Sequence, residues 1–440
     1  FLNTWHGGLK GRLDLGLAGA LFMPAQKDAQ PVRPAGQLNF VLDGSQQEAP
    51  YDCTLQGTIR DLRLVRSENV LYTDPAVTLA LKTSGRLSGE TLRIKSLRFG
   101  SAPLDLQAAG NMRRGTKQLL ELQGEHTFHF DQLAEIVRAM TGRELVLKGE
   151  SSEKFTLSLP LDATWQEQGQ LATELIVDTF ALAGIEAGPA GMPLQLKDGR
   201  MQTGINGTLN QGRLAMKALL QLGARPPLLT MPPDQKVLTD VHIDKPIADG
   251  ILSRLHPLFG VLAQPSGRVS ATVESFSWPL SEKDRNKARF KVVFDTSEID
   301  LVSRGVMREV LELLSVKEQQ LYLKQSQVTC TCEQGRVRCS PVKVLVADSE
   351  MTISGSVGLD KSLDYLLEIP VTEKLIGREG ARALEGTIIQ VPIRGTLGEP
   401  LFDRSIITDM LSSLAGQAAK KAIEKQVEKL VPGLFKGLKF

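Results

Sequence analysis

The chain has 440 residues, 42% of them apolar and only 5% aromatic, and its 52 basic and 50 acidic residues leave a formal charge of +2. That balance gives no electrostatic argument for a nucleic-acid partner, and the length exceeds one ordinary hydrophobic core, so several modules or a serial architecture are expected. No run of about eighteen apolar residues exists to cross a bilayer as a helix, and the start at Phe1, with neither initiator Met nor signal peptide, leads us to expect a piece of a longer polypeptide.

From Trp5 to Met23, Leu9, Leu13, Leu15 and Leu17 alternate with Lys10, Arg12 and Asp14, and a Pro- and Gln-rich loop is expected over 24–36. Alternation has the period of a strand with one apolar and one wet face. It continues through strands predicted at 37–42, 51–65, 76–81, 91–99 and 104–110, where Leu104, Leu106 and Ala108 face one way and Asp105 and Gln107 the other. A strand, a short turn and a strand ending in Gly form a cadence over 92–112 that returns at 194–222 and 335–360, which suggests strands added serially along one direction.

Three segments break this pattern with helical spacing. Leu133, Ile136, Val137 and Met140 place a helix over 130–141; Ile251, Leu252, Leu255 and Leu258 place another within 246–262; Val306, Val310, Leu313 and Leu314 place a third over 303–314. Between them, 143–160 returns to strands, and a pair of strands is expected over 164–180 around Gln-Glu-Gln-Gly-Gln. The proline-rich stretch 223–236 reads as a linker. The tail from Arg404 carries an apolar stripe, Ile407, Leu411 and Leu414, beside lysines that include Lys421 and Lys425. Such a helix packs on the last sheet with its lysines in water, lies on an anionic bilayer, or meets a partner helix.

The chain carries no Gly-x-Ser-x-Gly elbow, phosphate-binding Gly-Lys-Ser/Thr loop or His-Glu-x-x-His pair, so no catalytic residue, metal ligand or cofactor is assigned and a non-enzymatic role is expected. His126 and His129 point to opposite faces of a strand, which argues against joint chelation. Cys330, Cys332 and Cys339 have a spacing that allows one disulfide plus a free thiol, or a thiolate site.

The most regular alternation lies at Met351–Asp403. Ile353, Val357 and Leu359 share one face; Tyr365, Leu367 and Ile369 follow on a second strand, and Ile389, Val391 and Ile393 on a third, joined through a crossing segment at 375–384. The Leu-Asp-Tyr segment and the run Val-Pro-Ile-Arg-Gly-Thr-Leu-Gly-Glu-Pro, with Tyr365, Pro392, Ile393, Gly395, Thr396, Leu397 and Pro400 in register, resemble the C-terminal region of the AsmA-like family of bacterial envelope proteins. The resemblance is strongest over 335–403.

It implies an elongated, curled antiparallel β-sheet, groove- or taco-like, built of serial hairpin modules with interspersed short helices and a C-terminal helix. It also implies a periplasmic protein tethered to the inner membrane by a segment outside this sequence. Its apolar groove would hold phospholipid or another acyl lipid and pass it between inner and outer membranes, with envelope proteins as further partners. The nine apolar residues of the C-terminal strands are then candidates for the groove wall. The internal helices leave a second reading open, a structural or outer-membrane assembly factor whose apolar faces seal on one another. The modules read from the sequence are 1–122, 123–230, 231–334, 335–403 and the tail 404–440.

Overall fold

The computed structural model describes residues 5–15, 33–46, 51–66, 69–86, 89–115, 118–141, 145–161, 165–182, 185–314, 316–346, 349–372, 386–410, 412–413, 416 and 420. The chain forms two compact units, Phe1–Leu209 with Arg213–Pro232, and Asn210–Gly212 with Pro233–Phe440. Both are mainly antiparallel β with short helices between strands. The boundary read at 230/231 lies beside this division. Those read at 122/123 and 334/335 do not divide compact bodies: the first cuts strand Leu119–His129, and the second cuts the turn of a paired hairpin.

The first unit is built from β1 (Trp5–Asp14), β2 (Arg33–Gln46), β3 (Tyr51–Arg66), β4 (Asn69–Gly85), β5 (Thr91–Gly100), β6 (Leu104–Arg113), β7 (Leu119–His129), β8 (Leu145–Lys148), β9 (Glu150–Pro160), β10 (Gln170–Val177), β11 (Thr179–Leu182), β12 (Ile185–Lys197), β13 (Arg200–Leu209), β14 (Gly212–Gln221) and β15 (Leu228–Thr230). Each of β1 to β6 pairs antiparallel with the next; β9 then pairs with β7, β10 with β9, β12 with β10 and β13 with β12. The expected loop at 24–36 ends earlier, because Arg33–Gly36 opens β2. The strand pair expected over 164–180 is instead one helical turn, Trp165–Gln168, followed by β10. Gln-Glu-Gln lacks β-branched residues and favours a helical turn over a strand.

Register carries the apolar positions across this sheet in rows. Leu42, Leu55, Leu81, Leu97, Ala108, Gly124 and Phe155 are successive cross-strand partners. Register shifts at Ala35/Gln37, Lys82/Thr83 and Ile94/Leu97 add bend and twist. The sheet is most crowded on the apolar side of β6 and β7. A Cβ at Gly110 would stand 1.9 Å from the Glu121 carbonyl oxygen, and one at Gly124 would stand 2.0 Å from that of Gln107. Backbones meet there without room for a side chain, which makes the apolar face the inside of the curl.

The helix Phe130–Thr141 follows β7 directly and lies against β4 and β8, where it buries Phe130 and Ala134. On β4, the buried Asp74 accepts hydrogen bonds from the Tyr72 hydroxyl (3.1 Å), the Ala76 amide (3.1 Å) and the Ala102 amide (2.8 Å). This end of the sheet is therefore closed by apolar packing and a satisfied carboxylate.

The second unit solves its burial problem differently. Its long strand Ala263–Pro279 pairs with Arg289–Asp295 through one half and with Ile299–Ser303 through the other. The next two strands are interrupted in the same way, as Gln320–Leu323 with Gln327–Glu333, and as Arg336–Cys339 with Val342–Val346. The interruptions align into a crease. Thr296 donates its amide to the Ser326 carbonyl and its hydroxyl to that of Gln325, both at 2.8 Å, while the Gln325 side-chain amide donates to the Pro341 carbonyl at 2.7 Å. At the same level Gly267 has φ +106, and a Cβ there would stand 1.9 Å from the Glu298 carbonyl oxygen.

The helices expected in this unit form at 245–259, as a mixed helical run, and at Gly305–Leu313. Their Ile247, Leu258, Met307 and Leu311 are among the largest fully buried side chains, together with Leu301, Leu321, Ile353 and Leu367 from the strands. An open sheet must cover its apolar face; here the creased sheet and its helices supply both sides of the core.

Candidate functional site

The C-terminal strands pair so that their apolar positions meet across the sheet. Ile353 stands opposite Leu367 and Leu367 opposite Val391, while Tyr365 pairs with Ile393, Ile369 with Ile389 and Val357 with Leu363. They do not line a groove. Ile353, Leu367, Ile389, Val391 and Ile393 have no accessible surface, and Val357, Tyr365 and Ile369 have 3% or less. His256, from the helical run, sets its ring 5.0 Å from that of Tyr365. A space bordered by His256, Phe259, Val269, Phe294 and Cys330 amounts to about 10 Å³, barely one water molecule. Leu359, half-buried, lies outside the strand in the turn that follows it. These residues are a sealed core, and an acyl chain could reach them only by displacing the helices.

Polar groups inside this core are neutral. Burial holds the His256 imidazole down at about 3, and its Nδ1 accepts the Leu258 amide at 3.2 Å. Burial also raises the Tyr365 phenol, whose hydroxyl has no hydrogen-bond partner. Cys330 and Cys339 face each other across a strand pair and form a disulfide, whereas Cys332 stands opposite Val337 as a buried thiol pushed up by burial to about 11. Of the two uses allowed by the cysteine spacing, this is one disulfide plus a free thiol.

The first unit presents the opposite situation. Along β5, β6, β7, β9 and β10 the apolar positions are mostly half-buried, while Arg93, Lys95, Arg98, Asp105, Gln107, Gln123, Glu125 and Lys154 on the other face are exposed. Ile94, Ala108, Leu122 and Phe155 form a buried cluster, with Leu81, Leu97, Leu106, Met112, Leu120 and Leu157 packed beside it and still partly exposed. The strands hold this cluster together through their own side chains, and among the described residues they leave an apolar surface still partly in contact with solvent.

That surface is continuous. The row Leu122, Leu157, Leu171 and Leu196 runs beside the row through Ala108 and Phe155. The nine strands these rows cross, β2 to β7 with β9, β10 and β12, give at about 4.8 Å spacing a face roughly 40 Å across, against roughly 15 Å for one leaflet's hydrocarbon. Two open depressions of 560 and 380 Å³ also cross this sheet. Their walls include Arg98, Gln107, Glu125 and Lys154 in one, and Ser158, Gln170 and Lys197 in the other. Leu97, Ala108 and Phe155 also line the first, and Leu157, Leu171 and Leu196 the second, so residues of both faces contribute to each depression.

A polar group, His126 with Glu153 and Thr173 beside it, interrupts the apolar face. His126, 5% exposed, pairs in register with Leu106 and Glu153; its Nε2 hydrogen-bonds with the Thr173 hydroxyl and its Nδ1 has no partner. Burial lowers its pKa, so the ring is neutral near pH 7. Across the strand His129 faces away, between Asp105 (3.1 Å) and Glu150 (3.3 Å). The two histidines occupy opposite faces. Among the described residues, no three His, Cys, Asp or Glu side chains gather as a metal site.

At the C-terminus, residues 404–410 are helical; Ile407 is fully buried and Arg404 pairs with Glu309 at 2.6 Å. Leu411, Leu414, Lys421, Lys425 and the crossing segment 375–384 lie outside the residues whose side chains are described. No described helix is long and apolar enough to cross a membrane.

The geometry thus defines a β protein with one sealed unit and one open, apolar-faced unit. Comparison with protein-family models finds no match, and searches of curated proteins and of solved structures likewise return none.

Proposed function

We propose that the chain binds acyl lipid on the curled apolar face of its first unit and acts as a lipid-binding or lipid-transfer protein of the bacterial envelope. The observation that carries this reading is the contrast in burial: Leu97, Leu106 and Leu157 remain partly exposed on a continuous face, while their counterparts in the second unit are closed. Each methylene withdrawn from water onto that face gains about 0.8 kcal/mol, and polar headgroups would stay hydrated at its open side. Such a role needs no nucleophile or acid–base pair. The resemblance of 335–403 to AsmA-like proteins supports the same class and suggests movement of phospholipid between the two membranes. The Cys330–Cys339 disulfide fits an oxidising compartment such as the periplasm.

Native mass spectrometry of protein purified gently from cells tests this reading. Phospholipid should accompany the chain, at more than one molecule if the whole face is used; recovery free of lipid would overturn it.

A further inference from the structure

The second unit has a cleft that its sealed core does not account for. It measures 430 Å³ and opens between the helical run, Arg304 just ahead of the helix Gly305–Leu313, and the two turns that carry Lys361 and Gly398. Arg254, Arg304 and Lys361 contribute three positive charges to its wall, against the single carboxylate of Asp249. That carboxylate is already engaged: Oδ1 accepts Arg304 Nη2 at 2.6 Å, and Oδ2 accepts the Lys245 ammonium, which lies outside the wall. Arg304 also donates Nη1 to Gln264 Oε1 at 2.9 Å. Its guanidinium is therefore fixed in place, with two of its five donors committed.

The remaining cations have no such anchor. Among the described residues, the Arg254 and Lys361 side chains make no ion pair or hydrogen bond, and the Glu399 carboxylate, on the same turn as Gly398, is exposed and outside the wall. The turns that hold the wall are rigidly joined. Lys361, at φ +72, donates its amide to the Gly358 carbonyl at 2.8 Å and accepts the Leu397 amide at 3.0 Å, while Ser362 bridges Thr396. The two sequence segments behind the family resemblance thus meet at this cleft. An immobilised guanidinium beside a second guanidinium and an ammonium is the donor set that recognises a tetrahedral oxyanion.

We propose that this cleft binds a phosphate group, carried by a phospholipid headgroup or by a soluble phosphate ester. The site is independent of acyl binding on the first unit and can fail or succeed separately. Arg254 and Lys361 are exposed, so the double variant Arg254→Gln/Lys361→Gln keeps the fold. Calorimetric titration of the full chain with glycerol 3-phosphate should show salt-sensitive binding that weakens about tenfold or more in the double variant, a change of at least about 1.4 kcal/mol. Co-flotation with phosphatidylglycerol vesicles, compared with vesicles of an uncharged glycolipid, distinguishes the source. Flotation that depends on both cations assigns the phosphate to lipid, while soluble-ester binding without flotation assigns it to a free ester. Absence of glycerol 3-phosphate binding, or binding equal in wild type and variant, would overturn the proposal.

Discussion

Placing a carboxylate at the centre of each apolar face should have opposite consequences in the two units. Leu367 has no accessible surface and packs between Ile353 and Val391. Leu367→Asp forfeits about 1.5–3 kcal/mol of side-chain burial and adds a penalty of several kcal/mol for an unpaired buried charge. The sum is comparable to the whole stability of a typical domain, about 5–15 kcal/mol, so the second unit should unfold or lose hydrogen-exchange protection throughout. Leu106 is only half-buried, on the inside of the first unit's curl. Leu106→Asp keeps its charge in water and should cost about 1 kcal/mol, with the fold retained and bound lipid lost. Hydrogen exchange resolved by unit, read beside lipid content, distinguishes the cases. A folded Leu367→Asp protein stripped of lipid, or a folded Leu106→Asp protein with full lipid content, would refute the reasoning.

Three other perturbations follow from the same structure. His256 is neutral and buried with its pKa held at about 3, below the ordinary 6.5; the unfolded state then binds more protons between those values. Stability of the second unit is full above about pH 6.5 and falls by roughly 1.4 kcal/mol per pH unit as pH drops toward 3, and His256→Asn should flatten that slope in urea titrations at pH 7 and pH 5. Cys330→Ser opens a nine-residue loop and should cost about 2–3 kcal/mol by loop entropy, read as a lower urea midpoint that dithiothreitol reproduces in the wild type. Gly124→Val drives a Cβ to within 2.0 Å of the Gln107 carbonyl oxygen; a loss of about 1–3 kcal/mol, with lipid capacity reduced as the curl opens, is the expected outcome.

Much of the strand pattern was legible because period two survives in single segments: Leu104, Leu106 and Ala108 alternate with polar residues in the sequence and share one side of the sheet. The helices at 130–141 and 305–313 announced themselves by spacing. The cover of each face was not legible. Ile353 and Leu106 sit in equally regular strands, yet one is sealed and the other open, because sealing depends on a crease at Thr296, Gln325 and Pro341 that brings distant helices over the sheet. Those residues look like ordinary turns in sequence. The most regular alternation consequently belongs to the sealed C-terminal strands, whereas the accessible face lies in the less regular first half. One signal was present: the strands from β1 to β10 far outnumber the amphipathic helices available to cover them.

The pairing of Cys330 with Cys339 needed register, since Cys332 is two residues away on the same face and only the opposing residue decides between them. The phosphate cleft was also beyond sequence. Arg254, Arg304 and Lys361 come from three separated segments, and nothing local marks them as neighbours.

The most direct test of the central claim is photo-crosslinking from the two faces of one strand. A photoreactive residue introduced in cells at Leu97 or Leu106, and separately at the wet-face positions Arg98 or Gln107, reports which surface meets lipid. Phospholipid adducts confined to Leu97 and Leu106 are the predicted result. Adducts at neither pair, or equally at both, would contradict a lipid seat on the curled apolar face.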